Sequence, residues 1–214
     1  MLFDFAALSP ENCYKLLTST VVPRPIAWIT SLDAEGRRNA APFSFFNALC
    51  GDPPIVAIGI GGRRTDSAPG RGKDTLANIR ATGDFVVNLV GYALREAMNI
   101  TAIEFPPDVD ELAEAGLTPL ASIHVRPPRI AEAPVALECA RFAVIEVNVD
   151  RAIVLGRVLA MHVRDEAVLD PVRCHIDTPR LDLIGRMHGG GWYARTTDLF
   201  DLPRIAVQAW RRRS

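Results

Sequence analysis

The sequence predicts a mainly β protein, a Greek-key β-barrel with α-helices packed outside it. Three observations carry that expectation. Apolar, β-branched runs recur at residues 26–31, 39–47, 55–60, 85–89, 135–147 and 152–163, most of them bounded by turn residues. Helical spacing is confined to a few short stretches. No G-x-G-x-x-G joins a strand to a helix, and there is no G-x-S-x-G or P-loop, which argues against a Rossmann dinucleotide domain.

Taken in order, Ser9-Pro10-Glu11 opens a helix from Pro10 to about Thr18: serine caps, and proline suits the first helical position. Arg24 lies between Pro23 and Pro25, which hold the backbone extended. It reads equally as a surface arginine or as a contact to an anion or a ring edge. Residues 26–31 form a strand, Asp33-Ala34-Glu35-Gly36 a turn, and residues 39–47 the returning arm. Pro42 cannot donate to a ladder, so that arm lies at an edge or is bulged. Ser44 and Asn47 interrupt the aromatic run Phe43, Phe45, Phe46. They are either the solvent side of a half-buried strand or sparse polar groups in the wall of a site for a flat aromatic ligand.

Residues 55–60 read as a buried strand. The loop 61–72 carries Arg63, Arg64, Arg71 and several glycines, and runs into Lys73-Asp74-Thr75 and a helix over 75–80. Asp74 is the expected N-cap and Gly83 the stop. A basic, glycine-bearing loop entering a helix N-terminus suits a phosphate, although many helices follow basic loops without binding one. Residues 85–89 form a strand and 92–101 a helix. The stretch 104–118 is acidic and proline-interrupted, with a short helix near 110–115. Two long arms, 135–147 and 152–163, make a hairpin in which Gly156 marks a bulge or a close backbone approach. In the tail, Gly189-Gly190-Gly191 lies between His188 and Trp192-Tyr193. His188 is either a hydrogen-bonded structural residue or a ligand contact.

The chain has 214 residues, 49% of them hydrophobic, and no linker-like segment, so one domain over residues 1–214 is expected. A formal net charge of −1 gives no electrostatic case for nucleic acid or a membrane surface. Arg211-Arg212-Arg213 reads as a solvated tail. Cys13, Cys50, Cys139 and Cys174 form no C-x-x-C pair, and Cys174-His175 lacks a second pair, so no metal site is expected. Reduced thiols, no signal-like N-terminus and no bilayer-length apolar run lead to the expectation of a cytoplasmic protein.

Between Val21 and Thr75 the sequence resembles the flavin reductase-like FMN-binding split-barrel family. The matching pieces are Pro23-Arg24-Pro25-Ile26, the run from Asn39 to Asn47, Asp52-Pro53-Pro54, and Lys73-Asp74-Thr75-Leu76-Ala77-Asn78-Ile79, in that order. Gly156-Arg157-Val158 and the region from Ile184 to Tyr193 resemble the family's closing parts. The resemblance implies a split β-barrel homodimer with FMN near the subunit interface. It implies that Thr30, Ser31, Ser44, Phe45 and Asn47 line the isoalloxazine and ribityl chain. It implies that Lys73 and Thr75, with Asp74 between them and a loop arginine, hold the phosphate, and that Lys73 or Arg24 offsets the reduced flavin's negative charge. It also implies NADH or NADPH as co-substrate, hydride passing to the flavin, and an oxygenase or other acceptor as electron partner. His188 and Tyr193 are candidates for gating the ring's open face. Many of the family's reductases carry Gly-Asp-His where this chain has Val149-Asp150-Arg151, so arginine replaces the histidine that helps place the nicotinamide. That departure favours, as a rival, an electron carrier without its own nicotinamide site. A pyridoxamine-phosphate oxidase-like barrel, or one that binds an apolar ligand, are further rivals.

Overall fold

Helix α1 spans Pro10–Thr20, and Ser9 Oγ accepts from Asn12 N–H at its start. Strand β1 (Arg24–Pro25) leads into β2 (Ala27–Leu32), which turns back through β3 (Arg38–Phe43). Then follow β4 (Phe46–Gly51), β5 (Pro54–Ile60), α2 (Asp74–Thr82) and β6 (Asp84–Leu89). A 3-10 turn at Tyr92–Leu94 runs into α3 (Arg95–Ile100), followed by α4 (Glu111–Glu114) and the short strands β7 (Pro119–Leu120) and β8 (Arg129–Ile130). The long hairpin is β9 (Val135–Asn148) and β10 (Arg151–Val163). The tail holds β11 (Val168–Asp170), β12 (His175–Ile176), α5 (Thr178–Leu181), β13 (Ile184–Arg186) and β14 (Tyr193–Arg195). The computed structural model describes residues 1–62, 72–207 and 210. The expected cationic loop with Arg63, Arg64 and Arg71 lies outside the described residues.

Seven strands form one antiparallel sheet in the order β3-β2-β6-β9-β10-β5-β4. Its two edge strands, β3 and β4, are separated in the chain by Ser44 and Phe45 alone. The sheet must therefore curl until its edges come close, and the result is a barrel split along one seam. The expected single arm over 39–47 is corrected here. It breaks after Phe43, and from Phe46 the chain pairs with β5 instead of β2. Pro42 has no N–H to extend an edge ladder, and Phe45 C=O accepts from Gly59 N–H at 2.7 Å, which draws the chain across to β5.

Side chains from both sides of the curl fill the barrel. Ile29, Ile58, Phe85, Val87, Cys139 and Val154 form its interior, and α2 adds Leu76 and Ile79. Burial pushes the Cys139 thiol up to about 12, so it behaves as a core apolar group. Successive residues of a strand face opposite ways, so Trp28 and Ala40 point outward into a second cluster with Met98, Leu112 and Ile130 beneath α3 and α4. Trp28 Nε1–H donates to Thr101 Oγ1 at 2.8 Å. Gly156 sits at a register shift, and a Cβ there would lie 2.4 Å from the Phe85 ring, so both expectations for this glycine hold. Gly83 ends α2 at φ 81°, as expected.

Candidate functional site at the barrel seam

The edge strand β3 forms one wall of a small open cleft of about 90 Å³. Asn39, Ala41, Pro42 and Phe43 supply that wall. Lys73, Asp74 and Thr75 at the start of α2 supply the second, and the segment from Thr101 to Phe105 with Glu111 supplies the third. Of the expected site residues, Lys73, Asp74 and Thr75 thus share one cleft, at the end of a helix whose dipole favours an anion. The expected cap differs: Lys73 holds the cap position without a side-chain cap bond, and Asp74 is the first helical residue. Carboxylates in a first turn complement the helix dipole, which suits Asp74 in that place.

Buried amides fasten this wall to the sheet. Asn39 Nδ2–H donates to Thr75 Oγ1 at 2.9 Å, and Asn78 Nδ2–H donates to Ser31 Oγ at 3.1 Å. Ser31 and Asn39 are cross-strand partners, so the two bonds pin successive turns of α2 to one place on the sheet. Thr75 Oγ1 accepts in this bond and keeps its own hydroxyl hydrogen to give. Ser31 is fully buried. Thr30 faces the other way, donating to Pro128 C=O at 2.5 Å and accepting from Asn88 Nδ2–H at 3.3 Å. Neither hydroxyl reaches the cleft; both hold the β2 scaffold.

A second group gathers around β1. Arg24 is 6% exposed, and its guanidinium donates to the carbonyls of Thr18, Val21 and Met187. Of its two sequence readings, surface residue or ligand contact, neither describes this arrangement, in which arginine clamps the end of α1 to the tail hairpin. Burial pulls its pKa below the ordinary arginine value. Its Nε–H is buried without a partner, and its carbon centre lies 6.0 Å from the Phe45 ring. Phe45 is half-exposed, and Asn47 lies exposed on β4, its Oδ1 accepting from Ala48 N–H. His188 stacks on Trp192 in the β13–β14 turn, with centroids 6.0 Å apart and planes within 11°. Tyr193 packs on the outer cluster beneath Arg186, whose guanidinium lies 4.7 Å from its ring centre. Ser44 bridges the two groups, since it follows Phe43 of the cleft and precedes Phe45.

Sequence reasoning missed Asn39 and Asn78 as supports and Glu104 and Glu111 as cleft residues. Glu111 Oε2 accepts from Ala40 N–H at 3.0 Å. Burial, with Asp74 and Asp110 adding repulsion, pushes its carboxyl above the ordinary range despite that bond. Lys73 Nζ meets Glu104 Oε1 at 2.5 Å. An ammonium, a hydroxyl hydrogen and a helix N-terminus beside the apolar Pro42 and Phe43 fit a ligand with a phosphate at one end and a flat apolar part at the other. No group of three or more potential metal-ligating side chains occurs among the described residues.

An uncharacterized protein of Deinococcus radiodurans is 43% identical over 213 residues, covering 98% of this chain and 92% of its own length. The 2-nitrobenzoate 2-nitroreductase NbaA of Pseudomonas fluorescens is 33% identical with a TM-score of 0.86, over 97% of this chain and 98% of that one. Component B of nitrilotriacetate monooxygenase from Bacillus cereus is 30% identical, also with a TM-score of 0.86, over 94% and 98%. The model of the flavin reductase like domain matches residues 18–177, which hold the whole seven-stranded sheet and all three walls of the cleft, and the chain belongs to that family.

Proposed function

We propose that the protein binds FMN along the barrel seam and acts as an NAD(P)H-dependent flavin reductase whose electrons serve a separate oxygenase. The observation that carries this reading is the convergence of Lys73 and Thr75 at the N-terminus of α2 beside the edge strand β3. Lys73 and the Thr75 hydroxyl hold the phosphate, and the α2 dipole adds to the attraction. Asp74 orients the first turn. Phe43, Ser44, Phe45 and Asn47 continue from that point and flank the flat ring as the chain crosses the seam. Thr30 and Ser31 act from behind by fixing β2 against Asn88 and α2. Arg24 holds the tail hairpin at Met187, next to His188 and on the strand pair that carries Tyr193, the two candidates for the ring's open face. Bound flavin supplies acceptance of hydride from a nicotinamide and delivery of electrons onward. The similarity to a monooxygenase component supports the oxygenase partner. The exposed Arg151, at the start of β10, offers a cation to an anionic nicotinamide dinucleotide in place of the family histidine.

The test is the visible spectrum of purified protein supplied with FMN, followed by anaerobic NADH and NADPH. Flavin absorption that bleaches with either nucleotide is the expected result. Flavin that binds and stays oxidised overturns the reductase assignment in favour of an electron carrier, and absence of FMN uptake overturns the cofactor. A second reading, favoured by the 33% identity to a nitroreductase over nearly the whole chain, makes a nitroaromatic the acceptor. Reoxidation of the bleached protein by 2-nitrobenzoate under argon, faster than by free FMN, selects that reading.

A further inference from the structure

Two buried amide–hydroxyl bonds tie α2 to the hairpin of β2 and β3, and they run in opposite senses. In one the amide stands on the helix and the hydroxyl on the strand, Asn78 Nδ2–H donating to Ser31 Oγ at 3.1 Å. In the other the amide stands on the strand and the hydroxyl on the helix, Asn39 Nδ2–H donating to Thr75 Oγ1 at 2.9 Å. Because Ser31 and Asn39 are cross-strand partners, both bonds fasten the helix to one place. Fastening alone does not require the reversal. Its effect is to set a hydroxyl on the helix at the cleft, two residues after Lys73, while the Ser31 hydroxyl stays shut in the core. Asn39 lines the same cleft, is only 9% exposed, and is held by its place in the β3 ladder, so its amide is a fixed donor.

We infer that Asn39 is a positioning residue for the anion: by donating to Thr75 Oγ1 it turns the hydroxyl hydrogen of Thr75 away from β3 and toward the ligand phosphate. The inference rests on the FMN reading above. A hydroxyl has one hydrogen and two lone pairs, and a lone pair engaged by Asn39 sets the rotation of the O–H bond. A phosphate oxygen is a pure acceptor and gains only from a hydroxyl that presents its hydrogen. A hydroxyl already turned that way binds the anion without the cost of reorienting. The isoalloxazine ring makes no use of this bond, so a flavin without a phosphate is indifferent to it.

Quenching of flavin fluorescence, titrated with FMN and with riboflavin, tests this without reference to turnover. Asn39→Ala should weaken FMN on the order of tenfold and leave riboflavin unchanged. The isosteric Asn39→Asp, which can only accept, takes the Thr75 hydrogen for itself and should weaken FMN further. Asn78→Ala removes the other fastening; it should lower the melting temperature as Asn39→Ala does, yet keep the wild-type ratio of FMN to riboflavin affinity. In a Thr75→Val background Asn39→Ala should have no further effect on FMN. A wild-type ratio in both Asn39 variants overturns the inference. So does an equal fall of the ratio in Asn78→Ala, which would reduce Asn39 to a fastening, or an undiminished effect of Asn39→Ala beside Thr75→Val, which would make Asn39 a direct ligand contact. Wild-type protein that binds neither flavin overturns the FMN reading, and this inference falls with it.

Discussion

Glu138 is the most demanding residue in the chain, a carboxylate with no exposed surface. Its oxygens accept from Ile123 N–H at 2.9 Å and His124 N–H at 2.6 Å, and His162 Nε2 lies 2.6 Å away. Burial pushes its pKa up, but the two backbone donors and His162 outweigh burial and hold it below the ordinary value. A depressed folded-state pKa contributes stability above the unfolded value, near 4.5, that is lost as pH falls through the folded one. Glu138→Gln turns one acceptor into a donor facing a donor, and should cost about 3 kcal/mol at pH 7. Urea melts of both proteins check this, and the gap between them should close as the pH falls below 4.5. Lys73→Ala, by contrast, should leave stability nearly unchanged and weaken FMN binding by about 1–3 kcal/mol, read by fluorescence titration. Lys73 and Thr75 were legible in the sequence because helix starts and cations are local signals. Glu104 was not, since nothing local ties it to a lysine 31 residues earlier. The sequence left Arg24 between two readings, because charge alone does not say whether carbonyls or a ligand will take its donors.

At the scale of elements, the hairpin of β9 and β10 was visible in outline because two long β-branched arms flank a tight connection. Gly156 was visible too, and its neighbour explains its identity: the Phe85 ring fills the space a side chain would need. Gly156→Ala should destabilise the fold by about 1–3 kcal/mol through overpacking, and a paired Phe85→Leu should recover part of that loss in thermal melts. The break between β3 and β4 was hidden because the aromatic pattern runs on through Pro42 and Ser44, which read equally as an edge or a bulge within one arm. What decides it is long-range, the bond from Gly59 N–H to Phe45 C=O and the register of Phe46 against Ile58. The start of α2 was misplaced by one position for a related reason. Aspartate suits both a cap and a first turn, and the sequence does not separate the two.

For the whole molecule, barrel topology followed from strand count and turn chemistry, but its outer surface did not. Toward the hairpin turn, one face of β10 presents Ile153 to solvent, with Arg151 and Arg157 in the same alternation. Ile145 of β9 stands directly opposite Ile153, and both are exposed. Apolar side chains contiguous on one sheet face are uncommon on a monomer, and this face supports the proposal of a homodimer. Ile145→Glu with Ile153→Glu should shift sedimentation from the dimer to the monomer mass while leaving the far-ultraviolet spectrum intact. A wild-type protein that sediments as a monomer refutes the dimer. Among the described residues, no helix is long and apolar enough to cross a membrane.

The two residues that join the barrel's edge strands have a consequence for what the seam can admit. From Phe43 to Phe46 is three peptide steps, which extend to at most roughly 11 Å. Both jaws of the opening therefore belong to one short covalent span. A guest cannot wedge them further apart at that end, however strongly it binds elsewhere. The tether caps the parting of the two edge strands at that end, so the seam can widen only toward its far end.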